Sequence, residues 1–107
     1  MRIITRGPGP HPDVSVAGVL VTIGGDSYNA EHRQKESELL IDLRQEANGG
    51  IVEAATGFQV ASIRIPPYIT QEVDTGEVDD EGSPVIEPQR VPLNPDQVVI
   101  TLWTTQR

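Results

Sequence analysis

Hydrophobic positions in this chain come in short runs, and most of the runs alternate with polar residues at a period of two. Phe58 to Ile65 (Phe-Gln-Val-Ala-Ser-Ile-Arg-Ile) predicts a strand. Gln97 to Thr105 is the strongest such run, with Val98, Ile100 and Leu102 on one face and Val99, Thr101 and Trp103 on the other. Two apolar faces predict a central strand, or an edge covered by a partner. Val14 to Ile23 is dense in β-branched residues and predicts one strand, with Gly18 marking a bulge or a close backbone approach within it and Gly24-Gly25-Asp26 ending it.

Asn29 to Gly50 supports two readings. As a helix over about 30–47, it has Asn29 as N-cap, a Glu31–Lys35 pair, Arg44 late, Asn48-Gly49 as a stop, and Leu39, Leu40, Leu43 and Ala47 as its apolar stripe. Charge pairing and length favour it, although Glu31 to Glu38 is polar all round. As a hairpin, Leu39, Ile41 and Leu43 alternate with Leu40, Asp42 and Arg44, and Asn48-Gly49-Gly50 turns into Ile51-Val52.

Prolines and glycines divide the remainder. Gly7-Pro8-Gly9-Pro10-His11-Pro12 forbids regular structure, so residues 1–13 read as a proline-rich N-terminal arm. Pro66-Pro67 closes the strand at Phe58. From Tyr68 to Asp96 a β-prone arm rises to a Gly-marked acidic tip and a proline-studded arm returns, which predicts a long protruding hairpin or loop over about 68–96. Pro84, Pro88 and Pro92 confine the returning arm to a sheet edge or an irregular path. The expected fold is a single domain over 1–107, mainly β, a small sandwich or barrel-like sheet with the helix at 30–47 in question.

Composition sharpens this picture. The 107 residues are 36% hydrophobic with four aromatic residues, so the core rests on Val, Ile and Leu and is thin. Stability drawn partly from neighbours is the natural consequence. The formal net charge is -8. Glu72, Asp74, Glu77, Asp79, Asp80, Glu81 and Glu87, against Arg90 alone, place most of it between Gln71 and Arg90. Such a chain repels phosphate, which argues against direct nucleic-acid binding. No apolar run reaches the roughly 20 residues of a membrane span, and none near Met1 suits a signal peptide. A soluble protein kept in a cytoplasm is expected.

Candidate chemistry is sparse. With no cysteine there are no disulfides, thiolate sites or Cys nucleophiles. Asp74-Thr75-Gly76 matches the tripeptide of retroviral-type aspartic proteases, but those aspartates need an apolar, buried turn, and here acidic residues flank the motif. Asp74, Glu77, Asp79, Asp80 and Glu81 are close enough in sequence to be weak candidates for calcium, without the EF-hand order. His11 and His32 share no ligand or triad spacing and read as solvent-facing. No catalytic residue, metal or cofactor is expected. The interface candidates are Tyr68, Ile69, Val73, Val85, Ile86, Val91 and Leu93 along the two arms, and Trp103 as an aromatic anchor.

Val21-Thr22-Ile23-Gly24-Gly25-Asp26-Ser27-Tyr28, and the segment Val73 to Val85 running on to Val91-Pro92-Leu93, resemble parts of small structural proteins of tailed bacteriophages. The resemblance implies a non-enzymatic virion component of the capsid, neck or tail, assembled in the host cytoplasm, with copies of itself and other subunits as partners. It carries over no functional residue. Extended arms contacting neighbours fit that expectation. The alternative is a small binding module that sets the acidic 72–81 projection against a basic partner.

Overall fold

The computed structural model describes residues 1–105, and among them the chain is mainly β, with ten strands and one α-helix of four residues. The alternating run at Phe58 forms β7 (Phe58–Ile65), the middle strand of a five-stranded sheet. Its antiparallel neighbours are β5 (Leu39–Gln45) and β10 (Val99–Leu102). β1 (Arg2–Thr5) lies parallel to β10 at one edge, and β6 (Ile51–Glu53) pairs with β5 at the other. The register sets Ile41, Ile63 and Ile100 in one row and Leu43, Ala61 and Leu102 in the next, all buried. Burial of each larger aliphatic side chain is worth about 1.5–3 kcal/mol.

The second sheet corrects one expectation. Val14–Ile23 is two strands, β2 (Val14–Ala17) and β3 (Leu20–Ile23), and β3 pairs onward with β4 (Asp26–Asn29). Gly18, at φ +61°, opens a two-residue turn, and Gly24 and Gly25, at +62° and +90°, form the next. These are the left-handed conformations that tight hairpins need. Val21, Ile23 and Ala30 join the buried rows of the large sheet in a single core, so the two sheets pack together without closing a barrel.

The helix is also corrected. Asn29 does cap it, its Oδ1 accepting from the His32 N–H at 3.0 Å, but α1 covers only Ala30–Arg33. The polar stretch that follows has no stripe to bury, whereas Leu39, Ile41 and Leu43 gain a buried face by alternating along β5. The turn to β6 takes the five residues 46–50, in which the Glu46 N–H donates to the Gly50 carbonyl and the Gly49 N–H to the Glu46 carbonyl, with Gly49 at φ +88°.

The proline-rich N-terminal segment is not a free arm. The Pro10 carbonyl accepts from the Thr105 N–H at 2.9 Å, and the Pro8 carbonyl from the Thr104 hydroxyl. His11 Nε2–H donates to the Arg6 and Gly7 carbonyls at 3.2 and 3.0 Å, and Pro12 is buried. Prolines lack donors but keep their acceptors, and two threonines beyond β10 use them. His11 is thus half-buried and tethers a loop, unlike the exposed His32.

What does project is the hairpin of β8 (Thr70–Val78) and β9 (Pro84–Arg90), a two-stranded sheet of its own. The molecule measures 68 × 23 × 20 Å with a radius of gyration of 18.7 Å. A compact chain of this size would have about 13 Å. Nine extended residues span about 30 Å, enough to account for the excess length.

The glycine turns give a first prediction. An alanine at Gly25 meets no atom within 4 Å and bears only the left-handed strain, about 1–2 kcal/mol. At Gly24 the new Cβ would also lie 2.9 Å from Ile51 Cβ. Gly24→Ala should therefore lower the urea midpoint more than Gly25→Ala; equal midpoints would refute the contact.

Candidate interaction surface

The hairpin is held at its base by α1 and the turn after it. Gln34 Nε2 donates to the Pro66 carbonyl at 3.2 Å, and the Tyr68 N–H to the Lys35 carbonyl at 3.0 Å. Tyr68 Oη reaches Glu36 Oε1 at 3.3 Å, and the Arg90 guanidinium lies 4.0 Å from the centroid of the Tyr68 ring. On the returning side, the Leu93 N–H donates to Glu31 Oε2 at 3.0 Å. Glu31 thus serves the hairpin base and not a helical pair with Lys35. These partners lie 32 and 62 residues apart for Gln34 and Glu31, and no sequence signal joins them.

Beyond the base, the register pairs Thr70 with Arg90, Glu72 with Pro88 and Asp74 with Ile86 on one face. Gln71 with Gln89 and Val73 with Glu87 occupy the other, where Ile69 and Val91 continue the row at the base. The Val91 N–H bonds the Ile69 carbonyl, and the Asp79 N–H bonds the Ser83 carbonyl. Because bonded and non-bonded pairs alternate along an antiparallel ladder, the Thr70, Glu72, Asp74 and Val78 pairs are the non-bonded ones. Pro84 and Pro88 sit in those pairs, and Pro92 follows the bonded Val91, so all three ring nitrogens face outward on the free edge of β9.

The acidic residues act first as local turn formers. Asp74 Oδ1 accepts from the Gly76 N–H at 2.9 Å where the ladder bulges between Asp74 and Val78. Asp79 Oδ1 accepts from the N–H groups of Glu81 and Ser83, both at 2.9 Å, and Gly82 at φ +81° closes the tip. Asp74 is exposed at the bulge, a setting unlike a protease aspartate. Among the described residues, no three His, Cys, Asp or Glu side chains are grouped to hold a metal ion, so Asp74, Glu77, Asp79, Asp80 and Glu81 do not converge. No helix there is long and apolar enough to cross a membrane.

The expected interface residues separate into three groups. Ile69 (62% exposed) and Ile86 (49%) lie open on opposite faces of the hairpin, with Tyr68, Val73, Val85 and Val91 half-buried. Val78, at 67%, is more open still and is not among the expected residues, because it stands inside the acidic run Glu77-Val78-Asp79-Asp80 that reads as a solvated tip. Leu93 is not on the surface; at 7% exposure it belongs to the core beneath the hairpin. Trp103 lies at the far end of the sheet, beside Phe58 and Arg6 around a shallow depression of about 400 Å³.

An apolar cleft of about 380 Å³ opens at the hairpin base between Pro66, Ile69, Val91 and Pro92, with Gln34 in its wall. Gln34 is buried, and its Oε1 has no hydrogen-bond partner among the described residues. The displaced ionisations lie in the small sheet and α1. Burial, then the carboxylates of Asp26 and Glu53, raise the Tyr28 phenol, and a 2.7 Å bond to Glu53 raises the Arg33 guanidinium.

No family model, curated protein or solved structure matches the chain.

The Glu31 clamp is testable. Glu31→Ala leaves the part-buried Leu93 N–H without its acceptor, at about 1–3 kcal/mol, whereas Glu31→Gln keeps an oxygen there. Hydrogen exchange at Leu93 should accelerate in the alanine variant and be largely restored in the glutamine one. Unchanged exchange in Glu31→Ala would show that the clamp does not hold the base.

Proposed function

We propose that the chain is a non-enzymatic structural subunit of a larger assembly and that the β8/β9 hairpin is its contact with a neighbour. The observation that carries this is a hairpin with both faces in solvent and Ile69, Val78 and Ile86 exposed along it. A two-stranded sheet alone is marginally stable in water, and covering those side chains would add the burial it lacks. The N-terminal segment, bonded to its own domain, has no part in this contact. The resemblance of Val21 to Tyr28 and of Val73 to Leu93 to tailed-phage structural proteins makes a virion, as capsid, neck or tail component, the proposed assembly.

A second reading rests on the tip. Asp79 is engaged by backbone amides, whereas Glu77 near the end of β8 and Asp80 and Glu81 in the loop that follows are exposed and without side-chain bonds among the described residues. A basic partner could be recognised there, and neutralising those three carboxylates, with Asp79 kept to hold the turn, would abolish its binding.

Light scattering across a range of concentrations should give a mass above that of one chain. Ile86→Asp should lower that mass while changing stability by no more than about 0.5 kcal/mol, as for other exposed positions. A compact monomer at every concentration would overturn the assembly reading.

A further inference from the structure

The two free edges of the hairpin differ, and the difference points to a specific partner. Along β9 and just beyond its end, Pro84, Pro88 and Pro92 recur every fourth residue, and the alternation of the ladder turns all three ring nitrogens outward. An added strand would find no donors at those positions, and proline on an edge is a recognised block to pairing. The opposite edge has no proline. At Thr70, Glu72 and Asp74 the pairs are non-bonded, so their N–H and C=O groups point outward from β8. One edge of the hairpin is closed and the other open.

We propose that the open edge of β8 receives an extended strand from another protein, one that alternates basic and apolar side chains. This deepens the contact proposed above and rests on it. The register dictates the alternation. On one face the incoming strand would lie beside Thr70, Glu72 and Asp74, which calls for Lys or Arg. On the other it would lie beside Ile69, Gln71 and Val73, which calls for apolar residues against Ile69 and Val73 at the two ends of that row, and Ile69 also lines the apolar cleft at the base. Main-chain bonds would supply affinity and the alternating side chains specificity. A second copy of β8 is a poor occupant. Antiparallel pairing about Asp74, the middle of β8, sets Asp74 against Asp74 of the other copy, pairing about Glu72 sets Glu72 against Glu72, and like charges directly opposite are destabilising.

The probe is a fluorescein-labelled peptide of the length of β8 that alternates Lys and Val, titrated against the full chain by anisotropy. Binding is expected, with none by the Glu–Val counterpart. Thr70→Pro keeps the charge and every ladder bond but removes an outward donor, and should weaken binding about tenfold, the equivalent of one hydrogen bond. A Lys–Val peptide N-methylated at alternate residues should bind equally poorly to the unaltered chain, which separates edge pairing from any damage to the hairpin. Equal binding by Thr70→Pro and by the methylated peptide would reduce the interaction to charge attraction and overturn the proposal. So would no binding at all, and if light scattering still shows an assembly, only the edge is wrong and the subunit reading stands. A homodimer abolished by Thr70→Pro in the absence of peptide would overturn the choice of occupant in favour of a second copy.

Discussion

The row Ile41–Ile63–Ile100, drawn from three neighbouring strands that are distant in sequence, is the contact on which the rest of the structure depends. It fixes β7 between β5 and β10, and shifting any of the three by one residue would turn its buried side chains to the opposite face. With that register set, the small sheet can lay Val21 and Ile23 against the same surface. β1 can then pair beside β10, and Thr104 and Thr105 come within reach of the prolines near the N-terminus. A thin core of Val, Ile and Leu suffices because it is nearly continuous across these strands.

The hairpin obeys different physics. Beyond its base it shares no core with the domain, and it is held by main-chain pairing, by turns that its own aspartates form, and by the clamp from Glu31, Gln34 and Tyr68. Charge keeps it solvated, while its exposed aliphatic side chains leave burial available to a neighbour. The proline spacing on β9 protects one edge and leaves β8 as the side open to pairing. Within one projection, the carboxylate-rich tip and the proline-blocked edge of β9 thus lie apart from the unblocked edge of β8, which carries the proposed contact.

Several elements were legible because their causes are local. Alternation at Phe58 and Gln97 marked strands, Asn29 marked a cap, and the acidic segment read as a long hairpin. Other elements were misread for the same reason. Val14 to Ile23 is β-prone on both sides of Gly18, which by sequence marks a bulge or a close approach within one strand, and the pairing of β3 back onto β2 makes it a turn. Leu39 to Gln45 suits helix or strand by composition, and pairing with β7 decides for the strand. Leu93 looks like any apolar residue on an extended arm, and its burial depends on a core assembled from elsewhere in the chain.

By itself, the sequence determined which segments are β-prone, where glycine and proline interrupt them and where the charge collects, since side-chain sterics and local turn chemistry act within a few residues. Tertiary structure alone decided the register, the fate of the proline-rich N-terminal segment, the anchoring of the hairpin by Glu31 and the inequality of its edges. Those outcomes depend on which strand a backbone group faces, and in this chain the partner often lies tens of residues away.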